Sequence, residues 1–171
     1  MAPRVKDESY AWLDPSSAYI NARAFDAMVN DLLAPFLSER IDLVAAVDAA
    51  GYVLGTALAL RLGCGVLTVR KAGKLPVPTD EVEFLNYSKR APASAVEGPG
   101  PVNPAPESCW VYQWIETGGT IGAAIELLER QGGCDCRYRN SLIEESPEAE
   151  ALRKKYRCVA SVRPGSEFQG Q

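Results

Sequence analysis

"DLVAAVDAAGYVLGTALALRLGCGVLTV", residues 42–69, decides the fold of this chain of 171 residues. Its first part, DLVAAVD, is a nearly continuous apolar run with the length of a strand that is buried on both faces. The segment YVLGTALALRLG then predicts a helix that ends at Gly63, because glycine favours the left-handed conformation that closes helices. GVLTV, residues 65–69, predicts a second apolar strand. Strand, helix and strand within about 30 residues form a βαβ unit, which implies a parallel sheet with a right-handed crossover.

Further helices and strands alternate on both sides of this unit. Residues 21–37 place apolar side chains at helical spacing, and Asn21 is the expected N-cap. The pattern also predicts strands at residues 109–113, 134–143 and 157–162, and helices at residues 118–131 and 147–156. With no internal repeat and no dividing linker, the alternation favours a single domain over residues 1–171 with an open, doubly wound parallel sheet.

Residues 74–106 interrupt this alternation. Because residues 91–106 are rich in Pro, Gly, Ala and Ser, a long loop is expected over residues 74–106, with a weak hairpin as the option for regular structure. A loop of this length inside a compact domain is typical of a mobile lid or a binding loop. It leaves the same edge of the sheet as the glycine-rich turn described below, which favours the lid over an insertion without function.

Composition and charge exclude several classes of function. Apolar residues make up 47% of the chain and charged residues 23%, as in soluble globular proteins. No apolar stretch has the length of a membrane span and the first ten residues do not resemble a secretory signal, so a cytoplasmic protein without membrane association is expected. The net charge of −4 gives no basic footprint for nucleic acid.

The cysteine and histidine counts narrow the chemistry further. The chain has no histidine, which excludes mechanisms that need an imidazole base. Its five cysteines include no C-x-x-C pair, which argues against a disulfide framework and a zinc site. Carboxylates, lysines, backbone donors and the positioning of substrates therefore remain as the means of catalysis.

The strongest local signal for a ligand is WIETGGT, residues 114–120, between a short strand and a helix. Gly118 and Gly119 allow a tight turn that directs the N–H groups of the helix start at one spot. Thr117 and Thr120 add hydroxyl donors, and the helix dipole favours an anion there. The segment is a candidate phosphate site, although T-G-G-T taken alone favours a plain strand-to-helix turn with a threonine cap.

Two strings resemble a known family. T-G-G-T after a strand, followed by an A-x-x-L-L helix, resembles the motif with which type I phosphoribosyltransferases bind phosphoribosyl pyrophosphate (PRPP). VDAAGYVLGTALALRLGCGVLTVRKAGKLP, residues 47–76, resembles adenine phosphoribosyltransferases in order and spacing. Together the strings are far more specific than either one alone. The resemblance implies the type I phosphoribosyltransferase fold, with a long mobile loop at about residues 74–106 and a small N-terminal hood at about residues 10–20.

The resemblance also implies roles for particular residues. It assigns the 5′-phosphate of PRPP to the loop Glu116, Thr117, Gly118, Gly119 and Thr120. It assigns the diphosphate to the turn Asp48, Ala49, Ala50 and Gly51 and to the basic run Arg70, Lys71 and Lys74. The charges of that run suit a leaving group with several negative oxygens. Without the resemblance, the run would be interpreted as a solvated basic turn.

A third stretch of the sequence concerns the binding of the purine base. YAWLD, residues 10–14, aligns with the family's base-binding segment, so the resemblance implies that Trp12 stacks on a purine and that Leu13 offers backbone groups to its edge. A core or hood aromatic is the alternative for Trp12. FLNYSK, residues 84–89, resembles the family's lid segment.

The chain departs from the family at positions that bear on catalysis. Tyr112 and Gln113 stand where family members usually carry two acidic residues that contact the ribose hydroxyls. Ala50 stands where adenine enzymes tend to have arginine. Asn86 replaces a glutamate that assists proton transfer, and an amide cannot transfer a proton as a carboxylate does. QWIETGGT, residues 113–120, is similar to a divergent branch of adenine phosphoribosyltransferase-like proteins, in which Gln113 is usual and Tyr112 is not.

The function that the resemblance implies is purine salvage. A purine, adenine or a close relative, would be joined to PRPP to give a nucleoside monophosphate and diphosphate, with Mg²⁺ carried by the diphosphate of PRPP rather than by a protein cage. A homodimer is typical of the family. The alternative is a catalytically silent member of the fold that binds PRPP or a nucleotide as a sensor or partner subunit, which the four departures favour. An active enzyme for a non-purine acceptor is a third option.

Overall fold

The computed structural model describes residues 16–74, 76, 79–84, 94–99, 107–115, 119–130, 134–143 and 147–162. The helices are α1 (Ser16–Ile20), α2 (Ala22–Leu33), α3 (Ala50–Leu62), α4 (Gly119–Arg130) and α5 (Pro147–Lys155). The strands are β1 (Leu43–Val47), β2 (Gly65–Lys71), β3 (Thr79–Phe84), β4 (Ser94–Pro99), β5 (Glu107–Ile115), β6 (Cys134–Ile143) and β7 (Arg157–Val162). Among these described residues, no helix combines the length and the apolar character that crossing a bilayer requires.

The described strands form one sheet in the order β3-β4-β2-β1-β5-β6-β7. β1 lies between β2 and β5 and is parallel to both, with Leu43 opposite Gly65 on one side and Ser108 on the other. β6 and β7 continue the parallel part beyond β5. β4 and β3 extend the other edge in antiparallel orientation. The predicted parallel sheet is therefore present, and an antiparallel hairpin is added to it.

Helices cover both faces of the sheet around β1. On one face, Ala45 and Val47 belong to a buried cluster with β2 and with the apolar side of α4. On the other face, Val44 packs with buried side chains of α2 and α3. Burial on both faces explains the nearly continuous apolar run of β1, since neither face needs polar side chains for solvent. The arrangement is the predicted doubly wound one.

The predicted start of α2 and the predicted end of α3 are confirmed, whereas the predicted end of α2 is wrong. The side chain of Asn21 caps α2 and accepts hydrogen bonds from two backbone N–H groups of the first turn, each at 3.1 Å. Gly63 ends α3 with a φ of 70°. α2 ends at Leu33 instead of continuing to residue 37, because residues 34–36 form a 3₁₀ turn that contains Pro35. Proline has no N–H for the next α-helical hydrogen bond.

The loop predicted over residues 74–106 contains regular structure. β3 and β4 form an antiparallel pair from Thr79 opposite Pro99 to Phe84 opposite Ser94. This pair is the hairpin predicted as the option for regular structure in this segment. Val82 is buried in the same cluster as α4, and Nη1 of Arg130 donates a hydrogen bond to the carbonyl of Glu81 at 3.3 Å. The hairpin is therefore attached to the domain through the sheet and through α4.

Candidate active site

The segments predicted to bind PRPP leave one edge of the sheet. β1 ends at Val47 and β2 at Lys71, while β5 ends at Ile115, shortly before α4 begins. Because these three strands are adjacent and parallel, their carboxyl ends lie at the same edge. The chain passes from β1 to β2 on one side and later enters β5 on the other, so the strand order reverses at β1. Open α/β sheets bind ligands in the crevice at such a reversal.

Hydrogen bonds within the fold shape the turn at residues 48–51. The N–H of Asp48 donates to the carbonyl of Val69 at 2.9 Å, and the N–H of Tyr52 donates to the carbonyl of Ala49 at 3.1 Å. The peptide bond between Asp48 and Ala49 is cis. Ala49 is the N-cap of α3 and makes no side-chain hydrogen bond to the helix start. A helix start without such a cap suits an anion, which can accept hydrogen bonds from the first N–H groups.

The basic run begins inside β2 and not after it. Arg70 lies opposite Glu97 and Lys71 opposite Val96 in the antiparallel pair of β2 with β4, so the strand extends two residues beyond its predicted end. Nη1 of Arg70 donates to the carbonyl of Lys74 at 3.2 Å. Nε of Arg70 is buried and has no hydrogen-bond partner among the described residues. The hydrogen bond from Arg70 thus stabilises the turn at residues 72–74. Lys71 is exposed at the edge of the site.

Tyr52 contacts both the turn at residues 48–51 and the strand β2 that carries the basic run. Its Oη donates a hydrogen bond at 3.3 Å to the carbonyl of Val69, which also accepts from the N–H of Asp48. Burial raises the pKa of Tyr52 and the charge of Asp48 raises it further, whereas Arg70 and a hydrogen bond with Thr68 act in the opposite direction. A tyrosine in an apolar helix is typical of a core residue, so no signal in the sequence distinguishes it.

Tyr112 and Gln113 lie where β5 extends past β1. The last pair between these two strands is Ala46 opposite Val111, whereas β5 continues along β6 with Tyr112 opposite Asn140. β5 ends at Ile115 and not at residue 113 as predicted, so both residues lie within the strand. Their backbone therefore stands level with the end of β1 and the start of its turn. Their contact with ribose stays a prediction.

Part of the predicted site lies outside the described residues. This applies to Trp12, Leu13, Asn86, Glu116, Thr117 and Gly118. Gly119 and Thr120 are the first residues of α4 and are partly buried. α4 thus begins one residue after the predicted helix start. Within the described part of the chain, no group of three or more His, Cys, Asp or Glu side chains could hold a metal ion.

Sequence comparison relates the chain to curated enzymes. No protein-family model matches it. It is 36% identical over 131 residues to the adenine phosphoribosyltransferase of Jannaschia sp. (strain CCS1), a match that covers 76% of this chain and 72% of the relative. It is 36% identical over 151 residues to the adenine phosphoribosyltransferase of Agrobacterium fabrum, which covers 88% of this chain and 81% of the relative. In two further relatives of the same name, the match covers 62% and 52% of the relative's length.

Structural comparison agrees with this relation. The chain is similar to the crystal structure of an APRTase from Giardia lamblia complexed with 9-deazaadenine, with a TM-score of 0.84 and 25% identity over 97% of this chain and 93% of that chain. The fold is therefore that of the type I phosphoribosyltransferases, as predicted. Within that class, the chain belongs to the adenine phosphoribosyltransferase family.

Proposed function

We propose that the chain transfers the phosphoribosyl group of PRPP to adenine, giving AMP and diphosphate, and that it serves purine salvage. The observation that carries the proposal is the meeting of the turn at residues 48–51, the basic run and the start of α4 at one sheet edge. Relatives named for this activity, at 36% identity, support the same reaction over a silent nucleotide sensor.

The two ends of PRPP would be held by different loops. Residues 116–120 would bind the 5′-phosphate at the N-terminus of α4, where N–H groups and the helix dipole favour an anion. The turn Asp48, Ala49, Ala50 and Gly51 would bind the diphosphate together with Arg70, Lys71 and Lys74. PRPP would bring Mg²⁺ with it as part of the substrate, so the ion would need no cage of protein ligands.

The reaction exchanges one bond at the anomeric carbon of the sugar for another. The bond from that carbon to the diphosphate oxygen breaks, a bond to a ring nitrogen of adenine forms, and the proton on that nitrogen leaves. The basic run stabilises the negative charge that develops on the departing diphosphate. Holding base and PRPP in line and excluding water supply much of the remaining rate enhancement.

The other roles follow from the resemblance and are part of the proposal. Trp12 would stack on adenine and Leu13 would contact its edge. Tyr112 and Gln113 would lie beside the ribose, and Asn86 would approach the base from the lid. With no carboxylate at positions 86, 112 and 113, the sugar cation is stabilised less and the proton of the base passes to water or diphosphate. We therefore expect slower turnover than in relatives with the acidic residues.

The proposal extends to the whole chain. Residues 1–171 would form a single domain with a hood near residues 10–20 and a lid within residues 74–106 that closes over PRPP. The stem of that lid would be the β3–β4 hairpin, since it joins the sheet at β2 and packs against α4. The protein would act in the cytoplasm as a homodimer, without nucleic acid or membrane as a partner.

One incubation tests the reaction class. The purified chain is mixed with Mg²⁺ and PRPP and with adenine, hypoxanthine, guanine or uracil in separate reactions, and the nucleotide and diphosphate formed are measured. AMP from adenine at a rate above that of the other bases is the expected result. Product from another base alone would reassign the acceptor. Saturable binding of PRPP in calorimetry with no product from any base would support the sensor instead.

A further inference from the structure

One side chain connects the diphosphate turn to the strand that carries the basic run. Tyr52 follows the turn directly, and its hydroxyl reaches across to β2, where it donates to the carbonyl of Val69 at 3.3 Å. The same carbonyl accepts the N–H of Asp48 at 2.9 Å. One buried oxygen thus receives donors from the first residue of the turn and from the residue after it.

The neighbours of Tyr52 are the groups assigned to the diphosphate. Asp48 begins the turn and Arg70 follows Val69 directly in the chain, and both charges act on the tyrosine hydroxyl. Burial and Asp48 raise the pKa of Tyr52 above its ordinary value of 10.0, while Arg70 and Thr68 oppose that rise. The hydroxyl therefore stays protonated near neutral pH and remains a donor to Val69.

We propose that Tyr52 is a positioning residue for the diphosphate half of PRPP, because its hydroxyl fixes the turn at residues 48–51 relative to Arg70. The inference rests on the proposed function. Loss of the hydroxyl leaves the Val69 carbonyl with the N–H of Asp48 as its donor, so no buried acceptor loses its last partner. The effect should consequently fall on the placement of the turn more than on the stability of the fold.

The test compares two tyrosine variants that each lose one hydroxyl. Tyr52→Phe removes the hydrogen bond to the carbonyl of Val69 and the one with Thr68. Tyr156→Phe is the matched control, because Oη of Tyr156 donates to a carboxylate oxygen of Glu129 at 3.1 Å at a place that the proposal does not use. Calorimetry with Mg²⁺-diphosphate, Mg²⁺-PRPP and AMP gives the affinities, and thermal melting gives the Tm of each variant.

Tyr52→Phe is expected to weaken Mg²⁺-diphosphate and Mg²⁺-PRPP by about three- to tenfold, the range of one neutral hydrogen bond. AMP, which lacks the diphosphate, should bind as it does to the wild type, and Tyr156→Phe should leave all three affinities unchanged. Equal affinities of Tyr52→Phe and the wild type for diphosphate would overturn the proposal. An equal loss for AMP and diphosphate would overturn it as well, since it would indicate a general structural defect.

A second measurement separates this inference from the proposed function. If the wild type neither binds PRPP nor forms AMP, the proposed function has failed, and amide hydrogen exchange then tests the positioning by itself. Faster exchange at residues 48–51 in Tyr52→Phe, but not in Tyr156→Phe, would support the role of the hydroxyl in fixing the turn. Unchanged exchange in both variants would overturn it.

Discussion

The two strand-loop-helix units of the site hold their helices against the sheet in different ways. α3 approaches β1 so closely that a Cβ atom at Gly55 would lie 2.6 Å from the Cβ of Ala46. In α4, a Cβ atom at Gly122 would have no neighbour within 4 Å among the described residues. Both helices carry large, fully buried side chains, Leu54 and Leu58 in α3 and Ile121, Leu127 and Leu128 in α4. Buried side-chain volume therefore holds both helices, and the close approach at Gly55 is an additional constraint on α3 that Gly122 does not place on α4.

The loop that precedes α3 and the loop that precedes α4 also differ. The N–H of Asp48 donates to the carbonyl of Val69 and the carbonyl of Ala49 accepts from the N–H of Tyr52, so the fold shapes the turn at residues 48–51 before any ligand binds. The loop at residues 116–120 is rich in hydroxyl and N–H donors, and we propose that a phosphate accepts them. Substitutions that crowd the contact of α3 with β1 should therefore act mainly on stability, whereas substitutions of the donors in the loop at residues 116–120 should act mainly on binding.

The largest effect is expected in the loop before α4. Thr117→Ala should weaken AMP binding by about 1.5 to 3 kcal/mol, the range for a hydrogen bond to a charged group. Calorimetry with AMP measures it, and Thr56→Ala is a control because Thr56 is an exposed threonine of α3. The same affinity for AMP in the wild type and in Thr117→Ala would remove this loop from the site.

The second-largest effect is expected at Tyr112, in the strand β5 that precedes this loop. Tyr112→Asp should raise kcat about ten- to a hundredfold, or about 1.4 to 2.7 kcal/mol, because a carboxylate beside the ribose stabilises the developing positive charge. A phenol carries no charge near neutral pH. Tyr112→Asn is the control, since it has nearly the same size as aspartate but no charge.

Stability must be measured beside these rates. Replacing tyrosine by a smaller side chain can leave a cavity, so the Tm of both variants is needed. A folded Tyr112→Asp protein with no gain for any purine would mean that position 112 does not contact the ribose, or that more than this one change separates the chain from fast catalysis.

The sequence predicted the parallel part of the fold because its signals are local. The continuous apolar run predicts β1 as a strand buried on both faces. Gly63 predicts the end of α3, and Asn21 predicts the start of α2. The β3–β4 hairpin was only an option, since among the described side chains of β3 Val82 alone is buried. The hairpin also depends on contacts with β2 and α4, which its own residues do not reveal.

The site was predictable only as far as its motifs extend. The diphosphate turn and the basic run lie in one string that resembles the family, and the fold brings them to one edge. Tyr52 lies in the same string, but the string does not reveal its role, because its partner is a backbone carbonyl 17 residues away. A hydrogen bond to the main chain has no counterpart residue in the sequence that could reveal it.

The close approach of α3 to β1 can be tested at Gly55. Gly55→Ala should lower the free energy of unfolding by about 1 to 3 kcal/mol, as overpacking of a core does. The added methyl would meet the Cβ of Ala46, which is attached to a central strand and cannot rotate away. Denaturant unfolding measures the change. An unchanged midpoint would show that α3 has room to move and that the turn before it is not tightly fixed.

The smallest effect is expected for Gly122 of α4, and it has the opposite sign. Gly122 lies within the helix, and a methyl group there would meet no neighbour among the described residues. Gly122→Ala should therefore raise the free energy of unfolding by about 0.5 to 1 kcal/mol, because alanine loses less conformational freedom in a helix. The same denaturant experiment compares it with Gly55→Ala, and calorimetry shows whether AMP affinity stays constant. A loss of stability in both variants would mean that the added methyl at position 122 also meets a neighbour, and the contrast between the two glycines would fail. A gain in stability with weaker AMP binding would mean instead that the first turns of α4 need the flexibility of glycine to fit the phosphate.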